Sequence, residues 1–209
     1  AEKATLLRDG ELVAVSQKGQ LGNPDARIAL GETSDLPLLE RYARSFQGIK
    51  TGDDPRYRAY FWELSTGNER WIHLQSTVED TVHFGGLDSL LRWDNEGNEL
   101  ARRQGIGAWS LQGVAVSQMS KLPVALYFGR AFDSNVSPIT PLREDLLPAI
   151  WCFCSSPAYQ EHVRNMDQKV AVANATLVKV PFDLAHWQQV ASERYPNGLP
   201  KPYSDDPTQ

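Results

Sequence analysis

The sequence predicts an α+β fold: a twisted, mostly antiparallel sheet with helices on its flanks. Short runs rich in β-branched and aromatic residues recur between residues 58 and 140. From residue 144 onward the apolar residues switch to three-and-four spacing. Clusters of Gly, Pro, Asn, Asp and Ser separate nearly every run. With 209 residues, 41% hydrophobic and 22% charged, the chain can bury a substantial core and has the composition of an ordinary globular protein.

Taken in order, residues 5–16 read as a hairpin, with short apolar strands around Asp9-Gly10, a favoured two-residue turn. Residues 26–30 form a further short apolar run. Ser34 or Asp35 can cap a helix carrying Leu38, Leu39, Tyr42, Ala43 and Phe46 at helical spacing. Pro37 suits its first turn and Gly48 its end. The segment from Gly48 to Arg56 is dense in turn formers. Strands are predicted over 58–64, 71–75, 108–116, 124–128 and 136–140, with a polar turn at 94–98. Helices follow over 144–153 and 157–166, with Ser155 and Ser156 as candidate caps between them. A strand over 175–180 ends at Pro181, and Asp183 caps a last helix running through Glu193. Residues 195–209, rich in Pro and Asp and lacking apolar periodicity, read as an extended linker. The chain therefore divides into a hairpin and helix (1–47), a main domain (48–194) and a tail (195–209).

The sequence has no run of about 18 apolar residues, so no transmembrane helix is expected. The first residues carry charge and lack the apolar core of a signal peptide, so a cytoplasmic location is expected. Cys152 and Cys154, two apart on a predicted helix, point to different sides and cannot bridge; they read as buried reduced thiols. The net charge is −5, with ten acids and six bases in residues 51–104 and three of each in residues 105–150. No polybasic run occurs. Any contact with nucleic acid must rest on a few placed Arg and Lys.

Tests for enzyme chemistry are negative in this sequence. His73, His83, His162 and His186 have no second His or Cys at zinc-ligand spacing. Asp53-Asp54 precedes a proline and reads as turn chemistry before metal binding. There is no Gly-x-Ser-x-Gly elbow and no phosphate loop. His83-Phe84-Gly85-Gly86 lacks the strand-to-helix context of a nucleotide-binding turn, and there is no Pro-Pro dipeptide of the kind that holds an adenine amine for methylation. A small hydrolase built on Asp53 and His83 would need both in one pocket.

Several segments carry a family resemblance in order along the chain. Phe46-Gln47-Gly48-Ile49-Lys50-Thr51-Gly52-Asp53-Asp54, followed by Arg56-Tyr57 and Trp62-Glu63, resembles the start of the target-recognition domain of large bacterial adenine-specific DNA methyltransferases, including combined restriction-modification and BREX-type enzymes. Arg103-Gln104-Gly105-Ile106-Gly107-Ala108-Trp109-Ser110 resembles their Gly-x-x-Trp-Ser stretch, and Tyr127-Phe128-Gly129-Arg130-Ala131-Phe132-Asp133 their Gly-x-x-Phe-Asp stretch. The helical segment 146–159, with Trp151 and Ser155-Ser156, is similar to a further conserved stretch of theirs, with Cys154 where the family often has Asn. Residues 174–183 resemble the closing strand before a proline. The resemblance runs from about residue 46 to 209, and it rests on the order of the segments, since none is specific alone.

The resemblance implies a DNA-sequence-recognition module whose catalytic domain lies upstream on the same polypeptide. Double-stranded DNA and that domain would be its partners, and S-adenosylmethionine would be the cofactor of the parent enzyme and not of this chain. Candidate DNA-contacting residues are Lys50, Thr51, Gly52, Asp53 and Arg56 in the glycine-bearing loop, and Arg102, Arg103, Ser110, Gln112, Lys121 and Arg130 near later strand ends. Trp109 is assigned to the core, and Tyr57, Tyr60, Phe61 and Trp62 mainly to sheet packing. A protein-interaction or regulatory module is the competing expectation, because acidic charge and exposed aromatics need no DNA.

Overall fold

A computed structural model describes residues 36–64 and 70–202, together with Thr5, residues 8–10, Ala14, residues 16–23, Ala26 and Ile28. Two four-stranded sheets carry the α+β architecture. The first is antiparallel throughout and has the order β1 (Ala43–Ser45), β8 (Val136–Pro141), β5 (Gln112–Ser117), β6 (Val124–Phe128). The second has the order β2 (Arg58–Tyr60), β4 (Ser89–Arg92), β3 (Trp71–Gln75), β7 (Ala131–Phe132), and its β3–β7 pairing is parallel.

Period-two alternation assigns the faces of the first sheet. Val114, Val116, Val124 and Leu126 turn toward the helices, while Ala115, Tyr127 and Val136 turn toward the second sheet with Phe132. Three helices cover the first face: α1 (Leu147–Cys154), α2 (Pro157–Met166) and α3 (Leu184–Arg194). Apart from the half-buried Leu147 and Pro148, α1 is buried all round, with Phe153 at 1% exposure touching the rings of Tyr159, Phe182 and Trp187. Ser156 caps α2 by accepting the Tyr159 amide, and Asp183 caps α3 by accepting the His186 amide. Both helix starts follow from local chemistry visible in the sequence.

The β3–β4 connection is a strap that ties the sheets together. The Val82 amide donates to Val124 O at 3.0 Å and the Leu126 amide to His83 O at 2.9 Å, so the strap extends the first sheet beyond β6. His83 then stacks on Trp151 and its Nε2 lies 2.9 Å from the Tyr195 hydroxyl, which also accepts the Trp151 indole N–H at 2.9 Å.

Several expected elements take another form. Thr5, Arg8 and Asp9 are helical where a hairpin was expected, and Gln17–Gln20 forms one helical turn; residues 11–13 and 15 lie outside the described residues. Ala29 and Leu30 of the apolar run, and the candidate caps Ser34 and Asp35, also lie outside them. The predicted helix over Leu38–Phe46 is a single 3₁₀ turn, Leu39–Arg41, followed by β1. Here pairing with β8 overrides a helical apolar pattern, because Leu39, Tyr42 and Ala43 reach the core from a turn and a strand alike. The predicted strand 58–64 stops at Tyr60 and continues as the 3₁₀ turn Phe61–Glu63. The strand predicted from Ala108 begins only at Gln112. Residues 175–180 are not a strand: Asn174–Val178 is a 3₁₀ helix that buries Thr176, Leu177 and Val178. The tail is anchored by Tyr195, with residues 203–209 outside the described set.

Candidate nucleic-acid interface

The Gly48–Arg56 segment divides into an inner and an outer half. Ile49 is buried and pairs in parallel with Asp133, its amide donating to Phe132 O at 2.9 Å. A Cβ on Gly48 would lie 1.9 Å from Asp133 O, so only glycine fits there. Lys50 then leaves the interior. Its amide donates to Arg102 O at 3.1 Å and the Arg102 amide returns to Lys50 O at 2.9 Å. Reciprocal bonding of this kind makes them a directly opposed antiparallel pair whose side chains share one face, with Cα atoms about 5.5 Å apart. Both side chains are exposed, and neither forms an ion pair or hydrogen bond with a described residue.

The other basic candidates are neutralised or placed elsewhere. Arg56 Nη2 donates to Glu99 Oε2 at 2.9 Å, an oxygen that also accepts from the Tyr57 hydroxyl. Arg103 Nη1 donates to Glu96 O at 2.9 Å and to Asn98 Oδ1 at 3.2 Å. Lys121 lies in the turn that joins β5 to β6, at the opposite end of that hairpin from Gln112 and Phe128. It cannot serve the same contact as Ser110, Gln112 or Arg130.

Thr51 and Asp53 are committed to the loop's own structure. Thr51 is buried and its hydroxyl donates to the Asp54 carboxylate. Asp53 Oδ1 accepts the Arg56 amide at 3.3 Å, capping the one-turn helix Asp54–Tyr57. Gly52 sits at φ +82, and an added Cβ would come within 2.8 Å of Ala101 Cβ. The loop therefore holds Lys50 opposite Arg102, buries Thr51, and engages one oxygen of the exposed Asp53 as a helix cap. Beside this pair opens a cleft of about 270 Å³, lined by Lys50, Thr51, Gly52, Asp54, Asp133 and Asn135 among others. On its wall Arg58 donates to Ser89 Oγ and Ser76 Oγ, and Ser76 donates to Asp133 Oδ2 at 2.6 Å.

Ser110, Gln112 and Arg130 are grouped by a second close approach. Ser110, exposed at φ +69, donates its amide to Gly129 O at 2.9 Å, and Gln112 pairs with Phe128. Arg130 follows, half-buried, its carbonyl accepting the Tyr127 hydroxyl at 2.6 Å. Burial of that phenol pushes the Tyr127 pKa well up. Trp109 packs against the core clusters and against Trp93, with ring centroids 4.9 Å apart.

Sequence reasoning missed one feature of the second sheet. His73 is directly opposite Leu90, which is opposite Ala59, and Trp71 is opposite Arg92. By alternation these five share a face with Gln75 and, across from it on β7, Phe132, both fully buried and packed toward the first sheet, while Leu74, Leu91 and Ala131 lie on the opposite face. The three helices pack on the first sheet, and the β7 end of this face turns toward that sheet as well, where Gln75 Nε2 donates to Leu126 O at 2.9 Å. Desolvation, and then the nearby Arg130, lower the His73 pKa. The alternation of Trp71 and His73 about Ile72 was the available signal.

Tyr60, Phe61 and Trp62 do not pack into the sheet as expected. They are 45%, 56% and 61% exposed, with Tyr60 and Trp62 stacked at 4.6 Å. Asp53 and His83 serve separate neighbourhoods, the loop cap and the Trp151–Tyr195 contact, which removes the hydrolase arrangement. Among the described residues no three His, Cys, Asp or Glu side chains converge as a metal site, and no helix is long and apolar enough to cross a membrane. His83-Phe84-Gly85-Gly86 lies in the strap, where a Cβ on Gly86 would lie 2.1 Å from Ser76 O, and the strap leads to β4 and not to a helix.

No known family profile matches the chain, and no curated protein matches it. Among solved structures it is similar to the crystal structure of the HsdS subunit from Thermoanaerobacter tengcongensis, with 12% sequence identity and a TM-score of 0.48. That similarity covers 92% of this chain and 42% of the other, so the chain spans less than half of that subunit's length.

Proposed function

We propose that this chain is the DNA-sequence-recognition domain of an adenine-N6 DNA methyltransferase of a restriction-modification or phage-defence system. It would bind duplex DNA and position the target adenine for a catalytic domain that carries the S-adenosylmethionine site. The observation that carries the reading is the Lys50–Arg102 pair. Like charges set directly opposite on one face cost stability unless they share a counter-ion. Nearby Arg56 and Arg103 are paired with Glu99 and Glu96, whereas no acid among the described residues comes within ion-pairing distance of Lys50 or Arg102, although Asp54 and Asp133 line the same cleft as Lys50. A phosphate of the DNA backbone is the counter-ion of the right charge and size. The resemblance of the ordered segments to recognition domains supports this reading, with Lys50 in the loop of Gly48, Thr51, Gly52 and Asp53 near their start.

The test is fluorescence anisotropy of the whole chain with a short labelled duplex at low and rising salt. Weak, steeply salt-dependent binding is expected, and Lys50→Ala with Arg102→Ala should weaken it while the circular dichroism spectrum is unchanged. The second reading, a protein-interaction module, is favoured by the exposed stack of Tyr60, Phe61 and Trp62. It prevails if a folded chain shows no duplex binding at low salt.

A further inference from the structure

We propose that the cleft beside the Lys50–Arg102 pair reads, through Asn135 and Asp54, a base that carries an exocyclic amino group in the major groove. This rests on the DNA-recognition reading and assigns the base contact that a phosphate contact alone does not supply.

The lining of the cleft separates into spent and unspent groups. Arg58 and Asp133 neutralise each other, and both oxygens of Asp133 are engaged, Oδ2 by Ser76 and Arg58 and Oδ1 by the Asn135 amide. Thr51 is buried and gives its hydroxyl to the Asp54 carboxylate. The exposed lining residues are Lys50, Gly52, Asp54 and Asn135. Asn135 is held by its backbone alone: its amide donates to Asp133 Oδ1 at 2.8 Å and its carbonyl accepts the Gln118 amide at 2.9 Å. Its carboxamide makes no hydrogen bond to a described residue, so a donor and an acceptor are offered from a fixed backbone with their capacity unused. Asp54 is fixed in the same way. It starts the one-turn helix Asp54–Tyr57, its carbonyl accepts the Arg58 amide, and only Oδ1 of its carboxylate is engaged, by Thr51.

A carboxylate on a phosphate-binding surface opposes binding, because it repels the backbone that Lys50 and Arg102 attract. A hydrogen-bond donor on the DNA offsets that repulsion. In the major groove the donors of duplex DNA are the adenine N6 and cytosine N4 amino groups; guanine and thymine present acceptors there, which a carboxylate rejects. The Asn135 carboxamide matches adenine, accepting from N6 and donating to N7, and the Asp54 carboxylate matches cytosine N4. Both bases offer the same amino group, so the cleft selects them over guanine and thymine at one position. Lys50 belongs both to the phosphate pair and to the cleft lining. A phosphate held by the pair therefore lies at the edge of the cleft and brings a neighbouring base edge to its opening.

The experiment is selection at low salt from a pool of duplexes with a randomised centre, using the whole chain as wild type, Asn135→Ala, Asp54→Asn and Lys50→Ala/Arg102→Ala, each checked as folded by circular dichroism. Wild type should enrich a sequence with adenine or cytosine at the position that the cleft reads; adenine assigns the contact mainly to Asn135, cytosine to Asp54. Asn135→Ala should lower the preference at that position by about tenfold or more, the discrimination of one bidentate contact, and keep the preference elsewhere. Asp54→Asn keeps an oxygen for Thr51. It should discriminate less against guanine and thymine there, yet bind the unselected pool about twofold or more tighter, because one repulsion is gone. A merely structural Asp54 would not give these opposite signs. Lys50→Ala/Arg102→Ala should weaken binding to every sequence alike and keep the preference. If Asn135→Ala and Asp54→Asn both enrich the wild-type sequence with undiminished discrimination, the cleft reads no base and the recognition reading stands. If the folded wild type enriches no sequence, or binds no duplex, both readings fail together.

Discussion

Arg58 Nη1 lies 3.4 Å from Asp133 Oδ2, and Ser76 closes the triangle by accepting from Arg58 and donating to the same carboxylate oxygen. This network joins three segments that the sequence keeps far apart: β2, the start of the strap, and the turn after β7. Asp133 Oδ1 also accepts the Asn135 amide at 2.8 Å, so the carboxylate orders the turn behind the Lys50 loop. Removing one partner of such a pair strands the other charge in a low-dielectric setting. Asp133→Ala should therefore lower unfolding free energy in urea by about 2 to 3 kcal/mol, under the full buried-pair cost because water reaches part of Arg58. Asp133→Asn, which keeps one acceptor oxygen for the Asn135 amide, should lose less. Equal stability of wild type and Asp133→Ala would show that the network contributes nothing.

The Ser110–Gly129 contact makes opposite predictions for its two residues. Gly129 sits at φ +72, and an added Cβ would come within 2.7 Å of the Ser110 backbone. Gly129→Ala combines left-handed strain with a backbone clash, and a loss of at least about 1 to 2 kcal/mol is expected. Ser110, a non-glycine at φ +69, already bears the strain, so Ser110→Gly should be neutral or stabilising by up to about 1 kcal/mol. Thermal melts of the two variants moving in the same direction would contradict this account.

These contacts also mark how far the sequence could be read. Strands β3 and β6 and helix α2 match their expected bounds, because β-branched alternation and the Ser156 cap are local signals. Strands β1, β4 and β7 have two to four residues each and exist through distant pairing, which no local pattern announces. Leu38–Phe46 shows the converse: apolar spacing suited to a helix was satisfied by a turn and an edge strand against β8. In the candidate interface, Lys50 and Arg102 were each legible as basic residues near turns. Their direct opposition was not, since it follows from Ile49 docking beside β7 and Ala101 bonding to Thr51. Thr51 and Asp53 look like contact candidates in the sequence yet serve the loop itself, because turn chemistry and ligand chemistry use the same residue types.

Cys152 and Cys154 are both buried and unbridged, at 0% and 3% exposure on α1. Burial pushes both thiols up, Cys154 most strongly. A thiol reagent added to native protein should label neither cysteine on the timescale that labels both after unfolding. The linkage sign follows from the raised folded-state pKa. Stability is fully present below the unfolded thiol pKa of about 8.5 and declines as pH rises above it, because the unfolded thiol ionises while the folded one keeps its proton. Cys154→Ala should flatten that alkaline decline while costing some packing. An unchanged decline would assign it to other groups.

Lys50 and Arg102 should show a trade between stability and binding. Opposed like charges at the surface repel weakly in water and are screened by salt, so either one replaced by alanine should leave stability unchanged or raise it by a few tenths of a kcal/mol at low salt, about the size of a cross-strand pair effect. The same single changes should each weaken duplex binding and reduce the magnitude of the log-affinity against log-salt slope by about 0.9, the share of one neutralised phosphate. Arg56→Ala is the internal control: it breaks the Glu99 ion pair, should cost a small amount of stability, and should leave the salt slope as it was. A pair held together for structural reasons gives the reverse pattern, with both Lys50 and Arg102 substitutions destabilising the fold and neither altering the salt slope. Urea titration and a salt series on the four proteins distinguish these outcomes.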